Sequence, residues 1–279
     1  MRKILYLFAF KLLCFTCVFS GYCQNYPVVE KLNTGSIDWT NRTITASGIN
    51  SHTKTKITED GKSQLFKKAK IKASKNLFTT MGSIQIKSEK KLDDFIASRQ
   101  DLLKQIQLMI NNAKVIKKEY RPNGSAEIIL QLNLDKGLAQ LILPEEIVQI
   151  EPIKTFAKQP QKGQNSEYTG IVIDARGLKI TPVMSPKILD ENNKEVYGPA
   201  FISREYAVQH GTVQYVHKMT ENERIGSKPI VVTGLKSSPK SNSDIIISTA
   251  DSSKLHSSSH NLDLFHQGRV VIVIDNRKQ

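Results

Sequence analysis

Apolar residues along this chain repeat with two different periods, and the changes between them mark its elements. From Lys62 to Met81, the residues Phe66, Ala69, Ala73, Leu77 and Met81 recur at three- and four-residue spacing, which predicts an amphipathic helix. The alanines at 69 and 73 suit a helix lying close on a sheet. A second stripe of Phe95, Leu102, Leu103, Ile106, Met109 and Ile110 predicts one helix over Leu92 to Ala113. Around these helices the period drops to two. Arg42 to Ile49 alternates and is β-branched, a strand expected to close at Gly48, and Ser83 to Lys87 is a short strand candidate. Val115 to Arg121 and Ala126 to Leu134 flank Asn123-Gly124, a pair that supplies the positive φ angles of a tight hairpin turn. Asp135 is placed to cap a short helix through Leu143, with Pro144 ending it. Residues 24–150 therefore read as a two-layer α+β domain, helices on an antiparallel sheet, with Trp39 buried against the first core.

Residues 151–167 are polar with two prolines and a glycine, the composition of a linker. Residues 168–279 follow as a second, mixed α/β domain. It opens on Tyr168 to Gly198, where Ile171, Ile173 and Ala175 alternate with Val172, Asp174 and Arg176. Gly177 permits a turn, and Lys179 to Val183 resumes an extended run. Asp190 to Lys194 is a polar turn before Glu195-Val-Tyr-Gly. Gly211 to His217, Pro229 to Thr233 and Asp244 to Ser248 are further strand candidates, and Thr220 to Ile225 a helical turn. Thr249 to Phe265, rich in serine, reads as a short helix followed by a loop. Arg269 to Asp275 is a continuous apolar run, expected as a central strand buried on both faces.

The first residues change the picture of where the protein works. Met1-Arg-Lys and a short apolar run to Ser20 predict a secretory signal peptide over residues 1–23, cleaved near Gly21-Tyr-Cys. The run is broken by Lys11 and is shorter than the ~20 apolar residues of a spanning helix, so no transmembrane segment is expected after its removal. The three cysteines, Cys14, Cys17 and Cys23, all lie in or beside this segment. Disulfide frameworks and cysteine zinc sites are thereby set aside for the mature chain. Cys23 leaves open a lipid-modified N-terminus, although Tyr22 is larger than the residue that usually precedes a modified cysteine. The formal charge is +14, of which Arg2, Lys3 and Lys11 leave with the signal. Nucleic acid is the usual partner of such a charge. An exported chain seldom meets it, so anionic lipid, lipopolysaccharide or wall polymer is the expected partner surface, alongside the ordinary reading of a solvated lysine-rich exterior.

Candidate chemistry is sparse. Asp174 and Arg176, two apart on a strand, share a face and form a candidate ligand-binding pair; the competing reading is a structural ion pair beside a turn. His256 and His260 would share a helical face at metal-ligand spacing, with His266 nearby, but their surroundings are hydrophilic and no glutamate completes a zinc-peptidase motif. His210 and His217 read as packing or turn residues. There is no Gly-x-Ser-x-Gly elbow and no glycine-rich phosphate loop. The expectation is therefore no cofactor, no metal and no catalytic set.

The segments from Trp39 and TITASGI through LFKKAKIKASKNLF to YRPNGSAEIILQL resemble the N-terminal domain of bacterial flagellar assembly protein T, a domain shared with exported lipoproteins of the LPP-twenty type. The second unit, with YTGIVIDARGLKITPVMSPKILDENNKEVYG and RVVIVID, resembles the rear half of uncharacterised exported bacterial proteins. The resemblance implies a protein of the bacterial envelope, in the periplasm or at the outer-membrane periphery, that acts through contacts with envelope proteins or itself. It transfers no catalytic residues. The leading expectation is thus a non-enzymatic structural or assembly protein. The alternatives are a periplasmic ligand-binding module on the Asp174/Arg176 face and an exported hydrolase.

Overall fold

The computed structural model describes residues 26–51, 58–143, 168–219 and 222–276. The expected signal peptide, Cys23, Pro144 and the expected linker at 151–167 lie outside the described residues. The first unit begins with three strands, β1 (Val29–Lys31), β2 (Ser36–Asp38) and β3 (Thr43–Ser51), followed by the helix α1 (Glu59–Gly82). A small hairpin, β4 (Gln85–Lys87) and β5 (Lys90–Lys91), leads to α2 (Leu92–Ser98) and α3 (Gln100–Asn111). Strands β6 (Lys114–Tyr120) and β7 (Ser125–Asn133) and the short helix α4 (Gly137–Ile142) complete it. Its main sheet is antiparallel in the order β1-β2-β3-β7-β6, with α1 packed across β3 and β7.

α1 forms where its pattern and caps agree. Thr58 accepts from the Gly61 amide at 3.2 Å, and Glu59 and Asp60 sit in the first turn, where the helix dipole favours carboxylates. Leu65, Ala69, Ala73, Leu77 and Met81 make its buried face, whereas Phe66 sits at the edge with the Lys118 ammonium 4.6 Å from its ring centroid. Gly48 does not close β3, which runs on to Ser51. It lies under the helix, where a Cβ would stand 2.1 Å from the Ala69 carbonyl oxygen and 2.3 Å from the Ala73 nitrogen. Small residues on both sides let strand and helix approach to backbone contact.

Three local expectations are corrected. The helix expected over Leu92 to Ala113 is two helices, broken at Arg99, which takes an extended conformation (φ −138°, ψ 97°). No glycine or proline marks the break. Asp101 in the first turn of α3 favours a fresh helix start, and it accepts from the Arg99 guanidinium at 2.9 Å. In the β6–β7 turn only Gly124 has positive φ (79°), while Asn123 accepts from the Ser125 amide and hydroxyl through its side chain. Asp135 does not cap α4, which starts after Lys136 at φ 60° with no side-chain cap. Its carboxylate is drawn instead to Arg42.

The second unit contains β8 (Gly170–Asp174), β9 (Ile188–Leu189), β10 (Glu195–Tyr197), α5 (Arg204–His210), β11 (Gln214–Val216), β12 (Pro229–Ser238), β13 (Ser241–Ile247), α6 (Thr249–Leu255), α7 (Ser259–His266) and β14 (Val270–Val273). They build a mixed sheet in the order β10-β9-β13-β12-β8-β14-β11. Strands β12, β8, β14 and β11 run parallel, and β13 returns antiparallel to β12. β14 is buried on both faces, as its unbroken apolar run requires. β8 shares that environment: Ile171 and Ile173 join the main core, and Val172 joins Val216, Ile225, Val271 and Val273 in a second cluster on the opposite face.

Three expectations of this unit change in the structure. Lys179 to Val183 forms no strand; Lys179 has φ 54°, and the run is fastened through Thr181 to Asn242 and through Val183 to the Tyr215 hydroxyl. Thr220 lies outside the described residues, and Asn222 pairs with Gly226 across a turn rather than a helix. The segment read as helix then loop is two helices. Ser248 accepts from the Asp251 amide and Ser258 from the Asn261 amide, so part of the serine content that suggested a loop is N-cap chemistry. Among the described residues no helix is long and apolar enough to cross a membrane. The fold is α+β in both units, a helix on an antiparallel sheet followed by a mixed sheet flanked by short helices.

Candidate functional site

Asp174 ends β8, and Arg176 follows in the turn. The Arg176 guanidinium donates to both oxygens of Asp174, Nε to Oδ1 at 2.8 Å and Nη2 to Oδ2 at 2.5 Å, and its amide adds a bond of 3.2 Å. These bonds hold the Asp174 carboxyl below the usual carboxylate range. Gly177, at φ 83°, then points its amide at both oxygens of Asp275 beyond β14, each at 2.9 Å. The sequence-predicted pair is thus brought together, as a local fastening at the carboxyl ends of two neighbouring parallel strands. The Arg176 side chain is 61% exposed, and exposed pairs contribute little to folding. Arg176→Ala is expected to leave the melting temperature close to that of the parent protein, measured by circular dichroism.

The described histidines do not converge. His256 lies past the end of α6 and donates from Nε2 to the Val196 carbonyl at 3.0 Å, stacked on Phe201. His260 sits in α7 and bonds the Tyr168 carbonyl at 2.7 Å. The break between α6 and α7 removes the shared helical face on which the metal-ligand spacing depended. His217 faces the Ile274 carbonyl at 3.3 Å, and His210 ends α5 against Tyr206. Among the described residues no three histidine, cysteine, aspartate or glutamate side chains gather as a metal site.

Burial lowers the pKa of His256 because the charged ring loses solvent. A histidine whose folded pKa is lowered stabilises the fold fully above its unfolded value of about 6.5, and that contribution is lost as pH falls through the range below it. Melting temperature should therefore decline between pH 7.5 and 5.5. His256→Gln, which keeps a donor for Val196 but does not titrate, should show a shallower decline.

A polar seam, which sequence reasoning missed, lies between the units. Arg42, only 5% exposed and at φ 54°, donates from Nε to Asp135 at 2.5 Å and from Nη1 to the Val213 carbonyl at 3.2 Å. Its guanidinium lies on Gly211, where a Cβ would stand 2.0 Å from Cζ. Beside it, Thr40 donates to the Tyr215 carbonyl at 2.7 Å, and the Lys136 amide to the Val208 carbonyl at 2.6 Å. Trp39 meets Tyr215 edge-on, with ring centroids 6.1 Å apart. On the other side of α4, Arg204 donates to the carbonyls of Gln140 and Leu143, and β4 hydrogen-bonds the backbone of Met184 and Ser185. Buried side chains from both units join in one apolar cluster, which leaves the smaller cluster around Val172 apart. No local pattern announces this seam, since Arg42 and Val213 are 171 residues apart.

Comparison with known proteins follows the same division. No curated protein matches the chain. Residues 33–141 match the family model described as Treponema pallidum Tp0624, N-terminal domain, and residues 170–276 match that described as Treponema pallidum Tp0624, second domain. Unit for unit and in the same order, the chain is similar to the N-terminal and second domains of Treponema pallidum Tp0624.

Proposed function

We propose that this chain is a non-catalytic bacterial cell-envelope protein, exported to the periplasm or outer-membrane periphery, with a structural or assembly role. The observation that carries the reading is how the polar groups singled out as candidate chemistry are used. Asp174 is closed on Arg176, and the rings of His217, His256 and His260 face backbone carbonyls. These groups are taken up by bonds within the chain instead of facing one cleft together. The seam of hydrogen bonds and shared core couples the two units, which suits a part that keeps one shape while others assemble on it. Similarity to two successive domains of a Treponema pallidum protein supports a bacterial origin. The likeness to flagellar assembly protein T belongs to the same proposal, as one assembly among envelope structures.

The outer side of α1 is the face offered to an anionic envelope surface. Lys67, Lys68, Lys70, Lys72 and Lys75 are all exposed there, around an Ile71 that is 70% exposed. Cross-linking and sedimentation of envelope fractions should recover the protein with a partner or a large assembly. Reversing charge at Lys68, Lys72 and Lys75 should release part of it into the soluble fraction and make the remainder less sensitive to salt than the parent protein. A protein that stays monomeric and never sediments with the envelope overturns the reading.

A further inference from the structure

A cleft of about 620 Å³ opens between the units, walled by β4, the α2–α3 break, the end of α4 and the segment before β9. Its lining is unequal in charge. Among the described residues, Lys87, Arg99, Lys187 and Arg204 border it against one carboxylate, Asp244. Asp244 is turned to the wall, accepting from the Ser88 hydroxyl at 2.9 Å and the Lys187 amide at 3.0 Å. Lys187 reaches Glu195, whereas Lys87 forms no ion pair with any described residue. The cleft also holds a buried donor. Ser185 is 7% exposed, its amide is bonded to the Ile86 carbonyl, and its hydroxyl has no hydrogen-bond partner among the described residues. Buried polar groups are almost always paired, and an orphan in a cavity wall calls for a group from outside the chain.

We propose that this inter-unit cleft binds a small molecule through a carboxylate or phosphate group, with the Ser185 hydroxyl donating to it and Lys87 supplying charge. A hydroxyl that donates to an anion makes a charge-assisted bond, stronger than one to a neutral acceptor. The half-buried Phe95 and Pro199 offer the rest of the ligand an apolar wall. The site lies apart from the lysines of α1 and from the Asp174/Arg176 pair.

The test is titration of the signal-free protein with inorganic phosphate in one arm and acetate in the other, followed by calorimetry and amide chemical shifts. Saturable binding is expected, with shifted amides at Ser185 and Lys87; the arm that saturates identifies the anionic group. Ser185→Ala should weaken binding by about tenfold or more, the loss of one hydrogen bond to a charged group. It should not lower the melting temperature of the unliganded protein, because it removes a hydroxyl that bonds nothing. Lys87→Glu, at an exposed position, should abolish binding, and charge reversal at Lys68 and Lys72 should leave it unchanged. Absence of saturable binding in both arms overturns the proposal, and so does binding that survives intact in Ser185→Ala and Lys87→Glu.

Discussion

Arg42→Ala is expected to remove roughly 3–5 kcal/mol of folding stability, the cost of stranding one partner of a buried ion pair. The side chains of Arg42 and Asp135 are 6% and 18% exposed, and the pair sits where the two units meet. Alanine leaves the Asp135 carboxylate without its cation and the Val213 carbonyl without a donor. It also opens a void against Gly211. Arg42→Lys should recover only part of the loss, because an ammonium cannot reproduce the fork that meets a carboxylate and a carbonyl together. Urea denaturation measures the effect, and the double variant with Asp135→Ala should lose less than the sum of the two single losses. A loss under about 1 kcal/mol would place the pair with exposed surface bridges and remove it as the tie between units. Because the tie joins distant parts, limited proteolysis of Arg42→Ala should also cut more readily between the units.

Gly48→Ala should cost roughly 3 kcal/mol, at the upper end for overpacking a core. The added methyl would meet the backbone of α1, the Ala69 oxygen at 2.1 Å and the Ala73 nitrogen at 2.3 Å, so no side chain can move aside for it. The helix must lift from β3, loosening the contacts of Ala69, Ala73 and Leu77. Gly48→Val should be worse. Gly177→Ala is the control, since Gly177 has φ 83° but nothing within 4 Å of a Cβ. Its substitution carries only the backbone strain of a left-handed alanine, about 1–2 kcal/mol. If chemical denaturation shows Gly48→Ala to be the milder of the two, the close approach of α1 to β3 is not the constraint described.

The contrast between these positions shows what was legible. The α1 stripe, the β6–β7 hairpin and the two-sided burial of β14 follow from period and turn chemistry within a few residues, but β14 lies next to the edge strand β11 and not at the centre of its sheet. Gly48 was read by local grammar as a strand end, because nothing nearby tells that a helix some twenty residues on will cross it. Asp135 has the type and place of a helix cap, yet an arginine 93 residues earlier in the chain outcompetes the helix end for its carboxylate. The serines of residues 248–258 fit a loop and a pair of N-caps equally well, and only the packing of Leu255, Leu264 and Phe265 decides for helices.

The candidate sites divide in the same way. The two-residue period puts Asp174 and Arg176 on one strand face; in the structure β8 ends at Asp174, and Arg176 meets its carboxylate from the turn that follows. The cleft bordered by Lys87 and Ser185 has no trace in local pattern, since its walls come from segments about a hundred residues apart. Short-range spacing by itself determined two α+β units, the helix α1 and the buried strands, because each such element is set by neighbours within a turn or a pleat; it missed the break between α2 and α3 and the helices α5 and α7. Tertiary structure alone decided how the units join, which polar groups the seam consumes and which hydroxyl it leaves unbonded. Those outcomes depend on which distant groups reach one another once the apolar surfaces have met.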